Sequence, residues 1–123
     1  MVTIDRLNTQ REKLQRALDE AGNTHTIEDL AALINDGRAF LWEKDGSLII
    51  TEMYEYPQKK VLNFWVAVGE REPLILLQRL IVGWARGYGC SFAVFTGRKG
   101  WSRTELVSEE GWSPSLIQFR KEV

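Results

Sequence analysis

Sulfur and imidazole are scarce in this chain of 123 residues: Cys90 is its one cysteine and His25 its one histidine. A single cysteine excludes an internal disulfide, and together with a single histidine it excludes a cysteine- or histidine-rich zinc site. No metal is expected. No signal-peptide pattern opens the chain, so a reducing, cytoplasmic compartment is expected. Proline is sparse, at three residues. The longest apolar stretch, Leu74 to Ala85, is interrupted by Gln78 and Arg79. It falls short of the roughly 20 residues a membrane span needs. No serine, histidine and aspartate stand at triad spacing.

What is present is ample apolar content, at 44%, and an ordinary 27% charge, which together suit one domain over residues 1–123. The net charge of −1 is unevenly spread. Residues 1–55 carry −5, residues 56–103 carry +6, and residues 104–123 carry −2. A basic middle can mark an anion site or a nucleic-acid surface. Acidic and basic segments can equally face each other in the fold. The acidic opening and near-neutral total argue against nucleic acid as a partner.

Hydrophobic periodicity divides the chain. Ile4, Leu7, Leu14, Leu18 and Ala21 predict one amphipathic helix over 3–21, closed by Gly22-Asn23. Thr26-Ile27-Glu28-Asp29 has the form of a capping box with Asp at the third helical position. It starts a short helix that stops at Gly37. The period then changes. Ala39–Trp42 and Ser47–Glu55 flank Asp45-Gly46, a strong hairpin signal. Val61–Val68 reads as a central strand, with Leu62, Phe64, Val66 and Val68 on one face and Val61, Asn63, Trp65 and Ala67 on the other. Pro73 suits a first helical turn, and a largely buried helix follows to Tyr88. Ser91–Thr96 completes a strand–helix–strand unit, which predicts parallel pairing. A short helix over 101–107 and a last strand over Leu116–Arg120 are expected.

This order resembles the GNAT acyltransferase superfamily over about residues 27–121, following the N-terminal helix. Three features carry the resemblance. Val61–Val68 leading into the next helix is similar to the strand and helix that cradle coenzyme A. Ala85-Arg86-Gly87-Tyr88-Gly89-Cys90 resembles the family's helix end. Glu110-Gly111-Trp112 resembles its C-terminal glycine–aromatic pair. The stretch Phe95-Thr96-Gly97-Arg98-Lys99-Gly100-Trp101-Ser102-Arg103 is also similar to small tailed-bacteriophage proteins with a GNAT-like fold. The resemblance implies an α/β fold with a mixed sheet of about five or six strands.

The resemblance also implies a glycine-rich pyrophosphate loop at the helix N-terminus, where backbone N–H groups and the helix dipole favour phosphate. Here the loop reads Gly69-Glu70-Arg71-Glu72-Pro73-Leu74-Ile75. Arg71 stands as the leading basic residue, but Leu74 and Leu76 hold the glycine positions. Glu70 and Glu72 repel phosphate, and Pro73 removes a donor. The general-acid tyrosine that the resemblance implies, four residues before the glycine–aromatic pair, is Val107. No cofactor is therefore expected, with acetyl-coenzyme A as the alternative.

Glu52, among Leu48, Ile50 and Tyr54 on one strand face, is a candidate general base; the other reading is an edge charge that prevents aggregation. Arg98, Lys99, Gly100, Trp101 and Arg103 follow a strand of the parallel unit, where ligands sit in open α/β sheets. They can bind an anion or a partner, or form a turn in which Trp101 plugs the core. His25 reads as a loop or capping residue and Cys90 as a core residue. Two functions follow. One is a non-catalytic assembly or interaction protein, phage-type, in the host cytoplasm or on the virion, with a protein partner or a second copy. The other is a coenzyme A-dependent N-acyltransferase.

Overall fold

The computed structural model describes residues 2–97, 101 and 103–123. Three helices come first: α1 (Thr3–Asn8), α2 (Arg11–Glu20) and α3 (Ile27–Asn35). The expected single helix is thus broken at Thr9-Gln10. Periodicity runs straight through the break, because Leu7 and Leu14 are both fully buried on either side of it. Gly22 and Asn23 end α2 in left-handed backbone, at φ 106° and 58°. The capping box forms as read: Asp29 N–H donates to Thr26 Oγ1 at 3.1 Å, and Thr26 N–H donates to Asp29 Oδ2 at 2.9 Å.

The sheet holds four strands among the described residues, in the order β1 (Phe40–Lys44), β2 (Ser47–Glu55), β3 (Lys60–Val68) and β4 (Phe92–Val94). β1 and β2 join through Asp45 and Gly46, both at positive φ (49° and 77°), as a two-residue hairpin turn requires. β2 and β3 are antiparallel, and β3 and β4 are parallel. The helix α4 (Arg71–Gly87) connects the parallel pair. The sheet therefore has four strands rather than five or six. Residues beyond Trp112 form no strand; Leu116, Ile117 and Phe119 are 94%, 77% and 90% exposed. Alternation over 116–120 cannot hold a strand where no sheet edge takes up its backbone bonds. The short helix near the end, α5, covers Glu105–Ser108 rather than 101–107.

Helices α1–α3 pack on one face of the sheet against Leu48, Ile50, Val66 and Val68. α4 packs on the other against Ile49, Leu62 and Phe64. The expected single face of Leu62, Phe64, Val66 and Val68 is therefore split. Ile50 pairs with Val66 but Thr51 with Phe64, so Trp65 is an extra residue in β3. This β-bulge shifts the alternation by one step. It sends Phe64 to α4 and Trp65 and Val66 to the helical layer, where Trp65 meets His25 edge-on at 4.6 Å.

Candidate functional site

β3 and β4 pair only from Val61–Phe92 to Asn63–Val94. β3 continues for five more residues, to Val68, while β4 stops at Val94. A parallel sheet that opens at the carboxyl ends of its strands leaves a notch there, the usual ligand position in open α/β folds. The bulge at Trp65 begins at this same level.

The α4 side of the notch is filled by the chain itself. Phe64 and Phe95 meet Trp112 at 5.5 and 5.0 Å between ring centroids. Trp112 Nε1 donates to Gln78 Oε1 at 2.9 Å, and Gln78 Nε2 donates to Glu110 Oε1 at 2.9 Å. Arg79 donates to both Glu110 oxygens, at 2.8 and 2.7 Å. The Arg79 guanidinium holds the Glu110 carboxyl below its ordinary value. About two turns earlier on α4, Arg71 Nε pairs with Glu105 at 2.8 Å. The segment from Thr104 to Trp112 is thus laced to α4 at two levels. Its fold is local as well: Thr104 Oγ1 caps α5, and Trp112 N–H closes onto Leu106 O at 2.9 Å. Val107, at the position of the expected general acid, lies half-buried in α5.

The turn between β3 and α4 is tight. Gly69 has φ +131°, and a Cβ there would lie 2.2 Å from Ser47 Oγ and 2.4 Å from Ser47 Cβ. Glu70 N–H donates to that hydroxyl at 2.9 Å. Glycine is needed here for close approach to β2. Pro73 is the third residue of α4, within the first turn. Leu74 packs partly buried against the α4 core, and Leu76 is 41% exposed.

The opposite face of the notch carries polar groups. Glu52 pairs across the ladder with Asn63, and Asn63 with Val94, so Glu52 lies on the last row before the strands part. Its Oε1 accepts from Tyr54 Oη at 2.8 Å and from Asn63 Nδ2 at 3.3 Å. Burial, reinforced by the Glu52 carboxylate, pushes the Tyr54 phenol up to about 12. An apolar groove beside this cluster is lined by Tyr54, Tyr56, Val61, Phe92 and Val94.

Of the second cluster, Arg98, Lys99 and Gly100 lie outside the described residues. Trp101 is 43% exposed and meets Phe95 edge-on at 6.0 Å, so it does not plug the core. Arg103 is exposed. Cys90 is half-buried against the α4 core, and burial pushes its thiol up. The sequence reading missed Gln78, Glu105 and Glu110. Gln78 had a signal, as the polar interruption of an apolar helix; the glutamates had none, because their partners are about 30 residues away in the chain.

No protein-family profile matches this sequence, and no curated protein does. Among solved structures the chain is similar to ribosomal-protein-alanine N-acetyltransferase from Brucella melitensis biovar Abortus 2308, at TM-score 0.56 and 14% identity. The match covers 94% of this chain and 95% of that one. The fold is GNAT-like. At this identity the likeness concerns the fold alone. Among the described residues, no helix is long and apolar enough to cross a membrane.

Proposed function

We propose that this chain is a GNAT-fold interaction protein rather than an efficient coenzyme A-dependent enzyme. The observation that carries the reading is the Arg71–Glu105 pair at 2.8 Å. Arg71 is the one basic residue of the stretch 69–75 and opens α4, and a carboxylate of the chain's own C-terminal segment engages it. A pyrophosphate there would have to displace Glu105 and lie against Glu70 and Glu72, with leucines where close backbone approach is needed. Trp112, Phe64 and Phe95 occupy the α4 side of the notch with apolar rings. The similarity of Phe95–Arg103 to small tailed-phage proteins supports a role in particle assembly, in the host cytoplasm or on the virion. Calorimetric titration with acetyl-coenzyme A tests the reading. Binding weaker than about 1 mM is expected, and a micromolar dissociation constant overturns it.

One observation favours N-acyl transfer instead: Glu52, with Tyr54 and Asn63, stands at the level where β3 and β4 part. There a carboxylate can take the proton of an amine as its nitrogen attacks a thioester carbonyl. The amide bond forms, the C–S bond breaks, and the thiolate leaves. The solved neighbour, an alanine N-acetyltransferase by name, points to a protein amine as acceptor. Thiol release from acetyl-coenzyme A with an alanine-ended peptide, abolished in Glu52→Gln, would establish this second reading.

A further inference from the structure

Among the described residues the outer face of α4 is left exposed, and apolar residues interrupt the polar ones that a solvent-facing helix carries. Leu76 and Leu80 stand there at 41% and 59% exposure. Seven residues beyond Leu76, on the same side of the helix, comes Gly83. A glycine inside a helix weakens it unless backbone geometry or close packing demands one. Neither demand comes from this chain: Gly83 has ordinary helical backbone, and a Cβ there would meet nothing within 4 Å. The ends of the same face carry opposite charges, Glu72 in the first turn and Arg86 in the last. Neither has an ion-pair partner among the described residues. Arg79, between them, is already held by Glu110.

We propose that this face binds a second copy of the chain, with the two α4 helices antiparallel across a two-fold axis. The pattern is self-complementary about the helix midpoint. An axis level with Arg79 and Leu80 brings the two Leu80 side chains together. It seats Leu76 of each copy in the space above Gly83 of the other, and sets each Glu72 against the other copy's Arg86. The glycine permits close helix approach, the leucines supply apolar contact, and the charges select the antiparallel register. A single helix pair is a small interface, so the dimer is weak, with a dissociation constant on the order of 10–100 µM. The proposal rests on reading the chain as an interaction protein, and names the partner.

Sedimentation equilibrium of the full chain between roughly 5 and 300 µM, a range that brackets such a constant, tests it. A reversible monomer–dimer equilibrium is expected. Gly83→Gln should raise the dissociation constant at least about tenfold without lowering the melting temperature, because a Cβ there meets none of the described residues within 4 Å and glutamine favours a helix over glycine. Glu72→Arg and Arg86→Glu should each weaken the dimer, and the double exchange should restore it to within about threefold. Wild-type protein that stays monomeric throughout overturns the proposal. So does a dimer indifferent to Gly83→Gln, or one that the double exchange fails to restore. The acetyl-coenzyme A titration reports separately, so a monomer that binds no cofactor sinks the dimer alone.

Discussion

Arg79 grips Glu110 through both carboxylate oxygens, Nε to Oε1 at 2.8 Å and Nη2 to Oε2 at 2.7 Å. The two residues come from the middle of α4 and from the loop after α5, 31 positions apart. Gln78 and Trp112 extend the same contact into the core. The pair therefore fixes the segment that lies over the α4 side of the notch.

Its contribution is pH-dependent with a definite sign. Glu110 titrates below its ordinary value of 4.5 in the folded chain, chiefly through the hydrogen bonds from Arg79. Stability from this source is complete above 4.5 and is lost as pH falls through the folded value. Thermal melting of wild type and Glu110→Gln from neutral pH downward should show the wild type more stable at neutrality. The gap should close only in the acid range below 4.5. A gap that persists unchanged in strong acid would contradict this.

Trp112 is the aromatic keystone of the same segment, with Phe64 and Phe95 at 5.5 and 5.0 Å and its Nε1 on Gln78. Trp112→Ala should cost about 3 kcal/mol in urea unfolding, at the low end for tryptophan truncations because the side chain is only partly buried. Trp101→Ala should cost about 1 kcal/mol, since Trp101 is 43% exposed.

Gly69 admits no side chain. Its φ of +131° is closed to L residues, and a Cβ would lie 2.2 Å from Ser47 Oγ. Gly69→Ala should destabilise by at least about 2 kcal/mol by chemical denaturation. Ser47→Ala should not rescue it, because Ser47 Cβ would still lie 2.4 Å away.

Tyr54 should titrate late for a phenol. Its pKa is raised to about 12, first by burial and then by the hydrogen bond to Glu52. Phenolate absorbance should show a step near 12 that Tyr54→Phe removes. The sign for stability is opposite to that of Glu110. The folded chain holds this proton longer than the unfolded one, so the contribution is present below pH 10 and fades between 10 and 12. Glu52→Gln should lower the step, by removing the negative charge that the phenolate must face.

What the sequence determined by itself was local. The capping box at Thr26, the turn at Asp45-Gly46, the length of β2 and the start of α4 at its proline-bearing turn each rest on residues within a few positions of one another. The parallel unit of β3, α4 and β4 was equally legible, because a strand, a long apolar helix and a strand in that order permit few arrangements. Glu52 could be placed on its strand face for the same reason, since alternation in β2 is unbroken. The tertiary structure alone decided where regular patterns fail. The break at Thr9-Gln10 leaves the spacing of Leu7 and Leu14 helical, so periodicity could not register it. The bulge at Trp65 exists only in the pairing of β3 with β2, and one extra residue there moved Val66 and Val68 to the opposite face from Phe64. The partners of Arg71 and Arg79 are set by the return of the chain after β4. Turns and caps are decided by the dihedral angles of neighbouring residues, whereas a bulge or a long-range ion pair exists only once distant segments have met.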